Sequence, residues 1–212
     1  MIDARILPLQ RAALRPVARI LAGRGIRADA VSIAGFAAGL LAVPALALGH
    51  FWAALALIGL NRLLDGLDGE IARLTRPTDR GAFLDISLDF VFYALIPVGF
   101  ALHDPGANAL SAAVLIAAFV GTGSSFLAFA SIAAKRGQTA RAFPQKGIYY
   151  LGGLTEGFET LVVFLLMCLV PAWFPTLAWA FAAACALTTV LRWRMGWIAF
   201  SDLDNASQPG NR

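Results

Sequence analysis

Two neighbouring segments decide how this chain folds. The first reads Asn61-Arg-Leu-Leu-Asp65-Gly-Leu-Asp68-Gly69-Glu70-Ile-Ala72-Arg73. After a spacer from Leu74 to Arg80, the second reads Gly81-Ala-Phe-Leu-Asp85-Ile-Ser-Leu-Asp89. Asp65 and Asp68 are three apart, and Asp85 and Asp89 are four apart. Both spacings put a pair on one face of a helix. The spacer is short, so the two helices are expected to be antiparallel neighbours with four carboxylates facing one another at one end of the pair.

Outward from this end the chain is apolar. Six runs stand between polar gaps: Ala30–His50, Phe51–Leu74, Gly81–Leu102, Ala107–Ala134, Gly147–Val170 and Thr176–Ile198. Each is long enough for a tilted helix through ~30 Å of hydrocarbon. The lack of strict alternation excludes a β-barrel. Of the 212 residues 59% are apolar and 14% charged, and mean hydropathy is +0.72. That balance argues against a soluble enzyme, a disordered chain and a disulfide-stapled domain. Cys168 and Cys185 both lie in apolar runs, as buried small residues do.

The basic residues set an orientation. All 17 Lys and Arg fall before the first run, towards the end where runs 2 and 3 meet, in the 4–5 loop, or at the end of the sixth run and beyond. The other three turns carry none. The positive-inside rule then predicts an all-α integral membrane protein with six transmembrane helices and both termini cytoplasmic. Residues 1–29 are expected as a cytoplasmic juxtamembrane segment, 30–198 as the membrane domain and 199–212 as a polar tail. In the first segment Arg11, Arg15 and Arg19 recur on one helical face among Leu, Ile and Val, which predicts an amphipathic helix on the membrane surface. No cleavable signal peptide is expected there. Nucleic-acid binding is disfavoured, because no base-reading motif accompanies the arginines. Tyr149, Tyr150 and the Trp residues read as interfacial anchors, and His50 and His103 fall at the end away from the carboxylates.

Four carboxylates in one place repel one another and are costly to desolvate. Divalent cations with oxygen ligands neutralise such a cluster. Two cations about 4 Å apart would suit phosphoryl displacement. The plainer alternative is an acidic helix end paired with Arg62, Arg73, Arg76 and Arg80. Gly66, Gly69 and Gly81 lower helix stability but let a ligand or a second helix come close.

The two segments together resemble the signature of the CDP-alcohol phosphotransferases (CDP-alcohol phosphatidyltransferases): Asp-x-x-Asp-Gly-x-x-Ala-Arg, a spacer, then Gly-x-x-x-Asp-x-x-x-Asp. Asp65, Asp68, Gly69, Ala72, Arg73, Gly81, Asp85 and Asp89 match all eight fixed positions. The spacer has seven residues where the family usually has eight. Upstream, Asp29 and Ser32 stand where the family often has Asn and Thr. The resemblance implies a six-helix membrane domain, usually a homodimer, in which an alcohol attacks a CDP-linked substrate and CMP leaves. It implies that Asp65, Asp68, Asp85 and Asp89 hold Mg²⁺ or Mn²⁺, and that Asp89 also takes the hydroxyl proton. Gly69, Ala72, Arg73 and Gly81, with Asp29 and Ser32, would bind the nucleotide end of CDP-diacylglycerol.

The acceptor is expected on the cytoplasmic side of a bacterial inner membrane. Lys135, Arg136, Arg141 and Lys146 are candidates for a phosphate-bearing acceptor such as glycerol 3-phosphate or an inositol phosphate. Their positions equally follow from the positive-inside rule. Glu156 and Glu159, three apart and expected inside the fifth helix, are further acceptor candidates, with pairing to Arg62 or a loop Lys as the alternative. An aminoalcohol phosphotransferase using CDP-choline or CDP-ethanolamine is a close variant. A cation transporter is a rival of another class, disfavoured because its site belongs near the membrane midplane.

Overall fold

The computed structural model describes residues 3–136 and 155–206, and its regular elements there are all helical. They are α1 (Asp3–Gly23), α2 (Ala28–Ala47), α3 (Phe51–Leu74), α4 (Asp79–His103), α5 (Pro105–Lys135), α6 (Gly157–Leu169) and α7 (Phe174–Ala206), with a 3₁₀ turn at Pro171–Trp173. Among the described residues, four stretches are long and apolar enough to cross a membrane: Ala28–Ala47, Asp79–His103, Pro105–Lys135 and Pro171–Ser201. The second predicted run is α3, whose far end carries the charges. The fifth run was expected to begin at Gly147; its described helix begins at Gly157 and has 13 residues. Arg141 and Lys146 lie outside the described residues.

The helix ends follow local chemistry. Thr78 caps α4, its hydroxyl accepting the Gly81 amide at 3.0 Å. α4 therefore starts two residues earlier than the run at Gly81 suggests, and the turn after α3 shrinks to Thr75–Thr78. Asp104 caps α5 by accepting the Ala107 amide at 3.1 Å, with Pro105 in the first turn, where its missing N–H costs nothing. Gly25 and Gly49 take φ of 76° and 77° in the links before α2 and α3, a conformation open to glycine without a Cβ clash.

α2 packs on α3 and α4, α4 on α5, α5 on α7, and α1 and α6 on α3. The core at one end is aromatic: Phe100 stacks on Phe174 with ring centroids 4.4 Å apart, and Phe92 and Phe164 are also fully buried. α2 comes close to α3 through Gly35 and Gly39. A Cβ on Gly39 would sit 2.7 Å from the Phe92 ring and 2.9 Å from Asn61 Nδ2. Asn61 uses the gap, donating from Nδ2 to the Gly35 carbonyl at 2.9 Å. This is the small-residue close approach that helix pairs in lipid favour.

α1 was expected to lie on the membrane surface. Its inner face packs along α3, with Ala18 fully buried in a cluster with Val31, Leu67 and Ile71. Gly66 makes the approach possible, since a Cβ there would lie 2.8 Å from Leu14 and 2.6 Å from the Gln10 amide. Arg11, Arg15 and Arg19 stay exposed, as do Leu9, Val17 and Ile20.

Candidate active site

The short turn between α3 and α4 brings the signature together. One carboxylate oxygen each from Asp65, Asp68 and Asp85 lie within 4.8 Å of one another. Asp68 is 6% exposed, and its Oδ2 is buried with no hydrogen-bond partner. A buried carboxylate oxygen without a donor is costly. Three acidic side chains around such an atom fit a hard divalent cation, whose charge and need for oxygen ligands answer both problems.

These three aspartates line a cavity of about 680 Å³. Every residue expected at the nucleotide end lines it too: Asp29, Ser32, Gly69, Ala72, Arg73 and Gly81. α1 supplies part of the wall through Gln10, Arg11 and Leu14. The signature glycines make room for specific neighbours. A Cβ on Gly69 would lie 3.3 Å from Arg73 Nη2, so the guanidinium rests beside that glycine. A Cβ on Gly81 would lie 3.1 Å from the Thr78 hydroxyl and 3.3 Å from Asp29 Oδ1. Asp29 is paired with Arg80, another cavity residue, which ties the start of α2 to the start of α4.

Asp89 stands apart from the other three. It lines a separate small recess shared with Asp65 and Asp85 rather than the large cavity. Arg62 holds it, with Nη2 2.6 Å from Asp89 Oδ1. The same guanidinium donates to Asn61 Oδ1 at 2.7 Å and to the Tyr93 hydroxyl at 3.1 Å, and it lies 3.5 Å from Asp65 Oδ2. It also lies over the Phe92 ring, 4.8 Å from the centroid. The structure thus combines both sequence readings of the cluster: a triad fit for metal, and one aspartate held by an arginine.

The described acceptor candidates lie at helix ends. Lys135 ends α5. Arg136 caps that helix and reaches across to α7, donating to the Phe200 carbonyl at 3.1 Å and lying over its ring. Glu159 sits in the first turn of the helix and Glu156 at its N-cap, rather than both in the helix interior. They form a capping box at the N-terminus of α6, in which the Glu156 amide donates to Glu159 Oε2 at 3.2 Å. The physical reason is the open amides of a helix start, which attract carboxylates. Arg62, the partner proposed for them, is engaged with Asp65 and Asp89 instead.

Two site residues, Glu70 and Asn61, escaped the sequence reading, and Arg62 entered it only as one of four arginines that could pair with the cluster. Glu70 is 5% exposed and pairs with Arg73 at 2.6 Å. Asn61 and Arg62 position Asp89. The available signals were Gly35-x-x-x-Gly39, which marks the face Asn61 meets, and Glu70 to Arg73, a charge pair at helical spacing.

Apolar helices packed around a carboxylate cluster that lines a large cavity beside arginines fit a membrane-embedded enzyme that acts on a phosphate-bearing substrate. The chain belongs to the CDP-alcohol phosphatidyltransferase family, whose model matches residues 26–191. It is a transferase of substituted phosphate groups. It is 52% identical over 203 residues to the inner membrane protein YnjF of Escherichia coli K12, covering 96% of this chain and 98% of that protein. Its fold resembles the phosphatidylinositol phosphate synthase PgsA1 of Mycobacterium tuberculosis. The crystal structure of that enzyme with CDP-DAG bound aligns with a TM-score of 0.64 at 25% identity, covering 87% of this chain and 93% of that one. Its complex with manganese and citrate aligns at 0.65 and 25%, covering 87% and 88%. The apolar helices and the inner-membrane relative together point to an integral inner membrane protein.

Proposed function

We propose that the enzyme transfers a phosphatidyl group from CDP-diacylglycerol to the hydroxyl of a small phosphorylated alcohol, such as glycerol 3-phosphate or an inositol phosphate, in a divalent-metal-dependent reaction. The observation that carries this reading is the position of the aspartate triad. All three line the large cavity, and two of them, Asp65 and Asp85, also line the recess of Asp89.

In this reading Asp65, Asp68 and Asp85 hold Mg²⁺ or Mn²⁺, with Asp89 completing the site. The metal supplies charge stabilisation for the phosphate oxygens as they gain negative charge. Arg73 meets the diphosphate, while Gly69, Ala72, Gly81, Asp29 and Ser32 shape the nucleotide end. Asp89 accepts the proton of the acceptor hydroxyl. The acceptor oxygen forms a bond to the β-phosphorus, the bond from that phosphorus to the bridging oxygen breaks, and CMP leaves with that oxygen. Arg62 fixes the Asp89 carboxylate in place, so little reorganisation is needed when the hydroxyl arrives.

Lys135, Arg136, Arg141 and Lys146 are the residues we assign to the acceptor phosphate, with Glu156 and Glu159 as further acceptor candidates. The working arrangement is a homodimer of six-span protomers, with both termini and the active site in the cytoplasm. Its parts are a juxtamembrane segment (1–29), a membrane domain (30–198) and a tail (199–212). The test is CMP release by purified protein given CDP-diacylglycerol, a panel of alcohols, and Mg²⁺, Mn²⁺ or chelator. Metal-dependent CMP with a phosphorylated alcohol is the expected result. Release only with a neutral or cationic alcohol would overturn the acceptor class.

A further inference from the structure

Glu70 is a buried carboxylate behind the wall of the cavity. Its side chain is 6% exposed, and it does not line the cavity itself. One oxygen, Oε1, accepts from both Nε (2.9 Å) and Nη2 (2.6 Å) of Arg73. The same oxygen lies 3.9 Å from Arg11 Nε on α1. Arg11 and Arg73 both line the cavity.

A buried carboxylate needs compensating cations, and a side chain at this depth cannot turn to water for them. Glu70 therefore holds Arg73 by one edge of its guanidinium. The edge it takes is Nε and Nη2, and Nη1 is left to other partners. Arg is a rotamer-rich side chain whose planar fork gains most when its plane is already fixed. Gly69 fits the same device, because a Cβ there would press on the held guanidinium, 3.3 Å from Nη2.

We propose that Glu70 is a positioning residue for CDP-lipid binding: it fixes Arg73 against the cavity and, through Arg11, ties α1 to that wall. The proposal rests on the reading of the cavity as the CDP-lipid site. It does not depend on the acceptor.

The test is equilibrium binding of CDP-diacylglycerol to the purified full chain in mixed micelles, together with steady-state kinetics. Glu70→Gln is expected to raise both Kd and KM for CDP-diacylglycerol by about tenfold, with kcat within about twofold and the acceptor KM unchanged. In an Arg73→Ala background the same change should add less than about twofold, since the residue acts through Arg73. Glu70→Asp keeps the charge but draws it back by one methylene. It is expected to fall in between, and it carries the test if the Gln variant does not fold. An unchanged Kd in Glu70→Gln, or a full additional effect without Arg73, would overturn the positioning role while leaving the cavity assignment intact. No saturable binding by the wild-type protein would overturn both.

Discussion

Arg62 on α3 donates from Nη2 to Asp89 Oδ1 on α4 at 2.6 Å, joining the two helices that carry the signature. The arginine is 12% exposed and the aspartate 29%. Arg62 holds Asp89 more closely than Asp65, whose Oδ2 lies 3.5 Å from the same guanidinium, so the direction of the Asp89 carboxylate is set by a protein cation. A base must stand where the hydroxyl proton will be.

Asp89→Asn tests this placement. The amide keeps the volume and one acceptor oxygen but is no longer a base. Turnover should fall by at least about two orders of magnitude, with CDP-diacylglycerol binding largely retained. Parallel CMP-release and lipid-binding measurements check the split. Equal loss of both would assign Asp89 to binding alone.

Arg62→Lys keeps the charge but loses the fork and the plane. A lysine cannot reach Asn61, Tyr93 and Asp89 together, nor lie flat on Phe92. The expected outcome is a fall in kcat of about tenfold, because Asp89 is misplaced, and a loss of about 1 kcal/mol of stability. KM for the CDP-lipid should hardly change, since Arg62 does not line the large cavity. Kinetics and thermal unfolding in one detergent separate the two effects.

The triad can be tested without turnover. Binding of Mn²⁺ alone, followed by paramagnetic resonance, should be weakened by about one to two orders of magnitude in Asp68→Asn, because the charge count of the ligand set controls affinity. Asp68 is the sharpest position, as its Oδ2 is the buried oxygen without a partner. Chelator should abolish CMP release in the wild-type protein, and Mg²⁺ or Mn²⁺ should restore it. Unaltered Mn²⁺ binding in the variant would remove Asp68 from the site.

The signature was legible because spacing alone puts Asp65 with Asp68 and Asp85 with Asp89. A short turn then forces the pairs together. The long apolar runs were legible for a similar reason, since lipid admits few backbone solutions. Helix starts were harder to place. Thr78 and Glu156 stop or start a helix by local hydrogen bonds that hydropathy does not register. Charge partners were hardest. Arg62 was one of four arginines that could pair with the carboxylates, and Glu70 fell at an unspecified position of the signature, because burial of a charge depends on what another helix lays over it. α1 covers that part of α3, and an amphipathic pattern does not say whether its partner is lipid or protein.

Gly39 supplies a test of the packing that supports all of this. A Cβ there would meet Phe92 at 2.7 Å and Asn61 Nδ2 at 2.9 Å. Phe92 is fully buried and packs near Tyr93 and Phe164, so its ring has no free direction in which to retreat. Asn61 is tied to the Gly35 carbonyl and to Arg62. Gly39→Ala gains helix propensity of about 1 kcal/mol, but overpacking of a rigid contact costs about 1–3 kcal/mol. The clash lies against a ring and a hydrogen-bonded amide rather than a loose side-chain end, so the cost should win. Net destabilisation is expected, with kcat falling more than KM rises, because the shift passes through Asn61 to Arg62 and Asp89. Gly59→Ala on α3 is the control, since a Cβ there meets nothing within 4 Å. That variant should be neutral or slightly stabilised in thermal unfolding. Equal behaviour of the two variants would mean that α2 and α3 are not in the close contact described.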